Sequence, residues 1–114
     1  MVTAEAAMVI PVLLLVTISL AWLVTLGIAQ VRCLDAAREA ARLAARGEAP
    51  GAVNAAAQRT GPPGARVLVD RTGETVTVHV EAVVVPDVPL LDQLPAVTLE
   101  ADATSADEET DDSP

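Results

Sequence analysis

Glu5 is the residue of this sequence whose type and position point most directly to chemistry. It stands immediately before an uncharged run, residues 6–31, that is rich in leucine, isoleucine and valine. A carboxylate beside lipid is costly, so it usually marks a function or a partner. Because no Lys or Arg precedes Arg32, the nearest cation at a suitable depth is the α-amino group of Met1 in a neighbouring copy or a related protein. The alternative is a hydrated Glu5 that meets the positive end of a helix dipole, worth about 0.3–1 kcal/mol.

The other reactive side chains form no catalytic or metal-binding pattern. His79, the single histidine, alternates with Thr77 and Glu81, and we interpret it as an ordinary exposed residue on the polar face of a strand. Cys33, the single cysteine, is interpreted as a small helix-packing residue, with reversible acylation or an intermolecular disulfide as the alternatives. The acidic C-terminal residues lack the spaced, glycine-containing loop that calcium requires. We therefore predict no enzymatic activity, no metal and no cofactor.

Composition limits the size of any soluble domain and the chemical class of its partners. The formal net charge is −9, concentrated towards the C-terminus. An acidic chain lacks the basic surface that nucleic acids and anionic lipids require, so we predict no nucleic-acid partner. At 114 residues, part of them in the apolar run, the chain can form at most one small soluble domain. All seven basic residues are arginine, and this usage indicates a high-GC bacterial genome.

The uncharged run has the length of a single membrane span. Residues 6–29 would reach about 36 Å as a helix at about 1.5 Å per residue, whereas the hydrocarbon core is about 30 Å thick. Pro11 removes one backbone hydrogen bond within this span, so we expect the helix to bend or loosen there. Small residues that allow close packing between helices follow at Ala21, Thr25, Gly27 and Ala29.

The rest of the chain predicts an α+β fold attached to this anchor. Helical spacing of alanine and leucine predicts a stem helix that ends at Gly47. Alternation with a period of two then predicts three antiparallel strands, whose apolar face needs a cover; the alanine-rich end of the long helix is the natural one. We divide the sequence into residues 1–47, transmembrane plus stem helix; 48–64, short helix and Pro/Gly linker; 65–104, small antiparallel β domain; and 105–114, disordered acidic tail.

The N-terminal pattern resembles a known family. Glu5, the apolar helix behind it, Pro11 and a leucine-rich run are similar to the start of TadE-like minor pilins or pseudopilins of tight-adherence (Flp, type IV-related) pilus systems. Residues 30–47, QVRCLDAAREAARLAARG, resemble the second characteristic part of the high-GC members. Residues 76–82, 90–95 and 97–103 agree in order with the short β-rich end of that family.

The resemblance implies a non-enzymatic component of pilus assembly in the bacterial inner membrane. It implies a short basic leader that a prepilin peptidase removes after a glycine, which leaves Glu5 at mature position five. The sequence as printed shows no such leader, so we expect either that it is the mature form or that its natural start lies further upstream. Glu5 would neutralise the α-amine at Met1 of a neighbouring subunit, and other pilins and the assembly machinery would be the partners.

The orientation in the membrane has two interpretations. Arg32, Arg38, Arg42 and Arg46 follow the span, and the positive-inside rule places such a flank in the cytoplasm. A basic leader ahead of Met1 would reverse this orientation: it would hold the N-terminus in the cytoplasm and place the sheet on the extracytoplasmic side. The resemblance implies this second orientation, and a later location in a surface pilus. Two other hypotheses stand beside the pilin: a non-polymerising, signal-anchored envelope accessory protein, and a small regulator whose domain faces the cytoplasm.

Overall fold

A computed structural model describes residues 2–86 and 91–106 of the chain. Its elements, in order, are α1 (Val2–Ala45), α2 (Pro50–Thr60), β1 (Arg66–Thr72), β2 (Thr75–Val84) and β3 (Val97–Ala106). The strands form an antiparallel sheet in the order β1-β2-β3. The predicted α+β fold, with a long helix, a short helix and a small sheet, is confirmed.

The long helix α1 runs without interruption from the apolar run into the stem. Alanine, leucine and arginine, all strong helix formers, are frequent in it, and Pro11 lies inside it. Gly47 follows its end with a φ of 80°, a left-handed conformation that glycine adopts at little steric cost. The amides of Gly47 and Glu48 donate to the carbonyls of Ala44 and Leu43, both at 3.1 Å, so late carbonyls of the helix are satisfied.

The two halves of α1 differ in burial. The helix is long and apolar enough to cross a membrane, and no part of its most apolar stretch is buried by the rest of the described chain. Large side chains there, such as Met8, Leu13 and Leu23, are mostly exposed. The molecule is 84 Å long and 18–19 Å across, because this half extends beyond the domain. The arrangement is compatible with a single-pass membrane protein.

The central strand β2 and the stem half of α1 make the small core. Alternate residues of β2 are fully buried: Val76, Val78, Val80 and Ala82. Their neighbours on α1 are short side chains, which let the helix lie close to the sheet but bury little area per residue. The α1 members of the core are Cys33, Ala36, Ala37, Ala40, Ala41 and Ala44. The predicted cover of the sheet by the alanine-rich end of the helix is confirmed.

The short helix α2 packs beside α1 and leads to the sheet. Pro50 opens it at its first turn, where the missing N–H leaves no hydrogen bond unmade. Its buried residues are Val53, Ala56 and Ala57. After Gly61, residues 62–64 form the predicted Pro/Gly linker, which returns the chain to β1.

The edges of the sheet differ from the predicted pattern. In β1 the core-facing Val69 remains 44% exposed, because α1 lies over β2 and β3 and hardly contacts β1. Strand β3 continues to Ala106, past the predicted boundary at 104, because its last residues still pair with the start of β2. Residues 107–114, where the disordered tail was predicted, and residues 87–90 of the β2–β3 connection lie outside the described residues.

Candidate assembly site

Glu5 lies in the first turn of α1, at the uncovered end of the apolar helix. Its side chain is exposed, and it makes no hydrogen bond or ion pair with any described residue. The next charged residue along the helix is Arg32, about 40 Å away at about 1.5 Å per residue. The described fold therefore gives Glu5 no cation. Met1, whose amine is the predicted partner in a neighbouring subunit, lies outside the described residues.

Pro11 lies inside α1 without ending it. Because proline has no N–H, the carbonyl oxygen of Ala7 loses the donor that an α-helix normally supplies. By contrast, the hydroxyls of Thr17, Ser19 and Thr25 donate to carbonyls one turn earlier at 2.9–3.0 Å, so these polar groups are satisfied without water. The predicted bend or loosening at Pro11 stays a prediction.

The small residues of the apolar half do not form one surface. Ala21, Thr25 and Ala29 share a face because they are spaced by four residues, whereas Gly27 is offset by about 200° around the helix. Ala29 is 8% exposed, so its surface is already covered within the chain. A Cβ added at Gly27 would meet nothing within 4 Å, so this position is open to another helix. Their role in packing between chains stays a prediction.

The outer face of the sheet holds a titratable cluster that spacing along the chain did not reveal. His79 on β2 donates from Nδ1 to Asp102 Oδ1 on β3, and its Nε2 lies 3.9 Å from Glu100 Oε1. The antiparallel register pairs His79 with Asp102, and Glu81 with Glu100. The alternation of the two acidic residues in β3 was the available signal, but only the register brings them to the histidine. His79 does lie on the polar face, half-buried rather than fully exposed.

This cluster can bind a proton. The hydrogen bond to Asp102 raises the pKa of His79 above its usual value; partial burial opposes this, and the charges of Asp102, Glu100 and Glu81 reinforce it. His79, Glu81 and Glu100 also place ligand atoms within 4.8 Å of one another, a spacing that a divalent cation could bridge. Exposed acidic groups commonly meet in this way without an ion. We therefore assign the cluster proton binding alone.

Cys33 belongs to the core. Its side chain is 0% exposed between α1 and the sheet, and burial raises the pKa of its thiol, which reduces its reactivity. This burial supports the interpretation of Cys33 as a small packing residue. Acylation or an intermolecular disulfide would first require the helix to separate from the sheet.

The fold and the unpaired carboxylate define a class: an α+β protein with one long apolar anchor helix and a small domain at its far end. Residues 1–42 match the family model described as TadE-like protein. The chain therefore has a TadE-like domain at its N-terminus, and the resemblance predicted from Glu5, Pro11 and the stem is confirmed. The matched residues all lie in α1 or directly before it.

One curated relative is similar to this chain over most of its length. It is named apoptosis inhibitor Rv3655c, from Mycobacterium tuberculosis, and is 49% identical over 79 residues, which are 66% of this chain and 62% of the relative. The chain thus spans less than two thirds of that protein. The activity in that name belongs to the relative, and no described feature of this chain supports assigning the same activity to it. No solved structure matched the chain.

Proposed function

We propose that this chain is a minor pilin or pseudopilin of a Tad (Flp) pilus, stored in the inner membrane through residues 6–29 and then used to initiate or extend a filament. The observation that carries the proposal is Glu5, a carboxylate without a described partner at the end of an apolar helix that the domain leaves uncovered. The match to the TadE-like family model supports the same proposal, because the matched residues 1–42 include Glu5 and the apolar half of α1.

The mechanism is charge pairing followed by helix packing. In the core of a filament Glu5 would meet the α-amine of Met1 in an adjacent subunit. Two opposite charges about 4 Å apart attract by about 4 kcal/mol at an effective dielectric constant near 20, which is close to a thousandfold in an association constant before desolvation is subtracted. The apolar halves of α1 would pack together through small residues such as Gly27. The sheet domain would select neighbouring subunits on the outside.

Neutralising Glu5 tests this proposal. Glu5→Gln keeps the size of the side chain and removes its charge, and Glu48→Gln makes the same change at an exposed position beyond the end of α1. Both variants should reach the membrane fraction in native amounts. Incorporation into sheared pili, measured by immunoblot, should fall at least tenfold for Glu5→Gln and stay unchanged for Glu48→Gln. Native incorporation of Glu5→Gln would exclude the pairing and favour the non-polymerising envelope protein.

Orientation separates the pilin from a regulator that faces the cytoplasm. Glu74 lies in the exposed turn between β1 and β2, at the end of the sheet, and Cys33 is buried. A Glu74→Cys variant should therefore react with a membrane-impermeant maleimide in intact spheroplasts, whereas the native chain should not. Reaction of the variant only after lysis would place the domain in the cytoplasm and overturn the proposal.

A further inference from the structure

We propose that the membrane-proximal end of the domain is seated on the lipid surface, in the boundary layer between headgroups and acyl chains. We define this end, the apolar collar, by Ile28 and Val31 of α1, Pro63 of the linker, Val83 near the end of β2, and Val85 directly after it. The proposal requires that α1 spans a membrane, but it does not depend on a role in pili.

The first observation is a change of character along the outer face of β2. This face carries Thr77, His79 and Glu81, as expected for the solvated side of an antiparallel sheet. The alternation then continues with Val83, which is 53% exposed, and Val85, directly after the end of β2, is 62% exposed. Apolar side chains thus replace polar ones on the same face, at the end of the strand that lies nearest the membrane helix.

The second observation is the depth at which these residues lie. A groove of about 410 Å³ is lined on one side by Thr25, Ile28 and Arg32 of α1, and on the other by Pro63 and residues 83–85. The amide of Gln30 donates to the backbone carbonyl of Glu100 at 2.9 Å, which holds β3 at the same level. The end of the sheet is therefore fixed beside about two turns of α1, residues 25–32.

This segment of α1 coincides with the membrane boundary. If the hydrocarbon core begins near residue 6, about 20 helical residues cross it and bring the boundary layer to residues 25–32. The collar valines then lie at the depth where apolar side chains leave water without entering the centre of the bilayer. Arg32, the first charged residue after the apolar run, has the length to bury its stem there and to reach a lipid phosphate.

Lipid explains this surface better than a second copy of the chain. On α1 the collar continues into Val24; this valine and the collar's Ile28 and Val31 are all exposed by half or more, so one apolar surface runs from the span onto the domain. The Arg32 side chain, a cation at the outer edge of that surface, complements the phosphate layer of any phospholipid. We therefore choose the bilayer as the occupant and treat contact between copies as an outcome of the test.

Fluorescence quenching by lipid tests the proposal on the full-length chain. Trp22, the single tryptophan, is first changed to phenylalanine, and a reporter is then placed by Val85→Trp or, independently, by Val83→Trp. Glu74→Trp is the matched control, because it lies at the opposite end of β2, about 35 Å away at about 3.3 Å per strand residue. Each variant is reconstituted in phosphatidylcholine vesicles whose acyl chains carry bromine at a shallow or a deep position.

We expect both collar reporters to show blue-shifted emission and at least twofold stronger quenching than Glu74→Trp, with shallow bromine more effective than deep bromine. Emission typical of water, with quenching equal to the control, would overturn the proposal. Blue-shifted emission that bromine does not quench, and that disappears as the protein is diluted in lipid, would show contact between copies and would also overturn it. The assay contains no pilus machinery, so its outcome is independent of Glu5.

Discussion

A single buried valine provides the sharpest test of how the helix and sheet pack. Val78 is 0% exposed beneath the stem half of α1, whereas Val69, its partner in the register of β1 and β2, is 44% exposed. Val78→Ala and Val69→Ala make the same chemical change at paired positions of one sheet face, with a similar loss of strand propensity. The difference between them therefore measures burial beneath α1.

The expected magnitude follows from the number of methyl groups removed. Ile→Val removes one buried methyl and costs about 0.5–1.5 kcal/mol, so removal of two from Val78 should lower the free energy of unfolding by about 2 kcal/mol. That is roughly a 30-fold change in the ratio of folded to unfolded domain. The neighbouring α1 side chains are mostly alanines, which cannot extend to fill the space. Val69, already half exposed, should lose about 1 kcal/mol or less.

Pulse proteolysis in urea is the appropriate assay for this pair. It is applied to the full-length chain in detergent micelles, where the apolar half of α1 stays helical and would dominate a circular dichroism signal. The midpoint for Val78→Ala should lie clearly below that for Val69→Ala, and both should lie below the native midpoint. Equal losses in the two variants, or none at Val78, would refute the placement of Val78 under the stem.

Two further predictions concern proton binding and helix packing. Because the pKa of His79 is raised in the folded chain, its proton stabilises the fold below its unfolded pKa, and this contribution is lost as pH rises through the raised value. In an NMR titration of this single histidine, Asp102→Asn should move the pKa down and the remote Asp92→Asn should not; an unchanged titration in Asp102→Asn contradicts the assigned contact. Gly27→Ala should leave the stability of the monomer equal or slightly higher, because the site is open and alanine is the better helix former. Its incorporation into pili should nevertheless fall, and native incorporation would show that no helix packs closely there.

The order of elements could be predicted from the sequence because each has a local cause. The uncharged run gives the span, Gly47 gives the end of α1, and alternation gives the strands. The exact covering of the sheet could not be predicted, because it depends on where α1 crosses the strands. The helix lies over β2 and β3, so Val69 stays exposed despite its correct alternation.

Of the two groups of candidate residues, Glu5 was predicted from the sequence, whereas the contacts of His79 on the sheet were not. Glu5 is visible in sequence because a charge beside an apolar run is locally anomalous. The pairing of His79 with Asp102 is not, because it depends on the register between β2 and β3, which a long connection separates. The collar was missed for a different reason: Val83 and Val85 look like ordinary strand residues until the fold shows that their face is the outer one.

The physics of the bilayer explains why assembly and anchoring should depend on different features of the span. To enter a filament, the apolar half of α1 must exchange lipid for the helices of other subunits. Lipid tails are as apolar as leucine, so the hydrophobic effect gives this exchange little preference. The preference must come from contacts that lipid does not offer, and we propose that these are the pairing of Glu5 and close approach at Gly27. Anchoring depends instead on apolar length, so neutralising Glu5 is expected to reduce incorporation into pili at least tenfold and to leave the chain in the membrane.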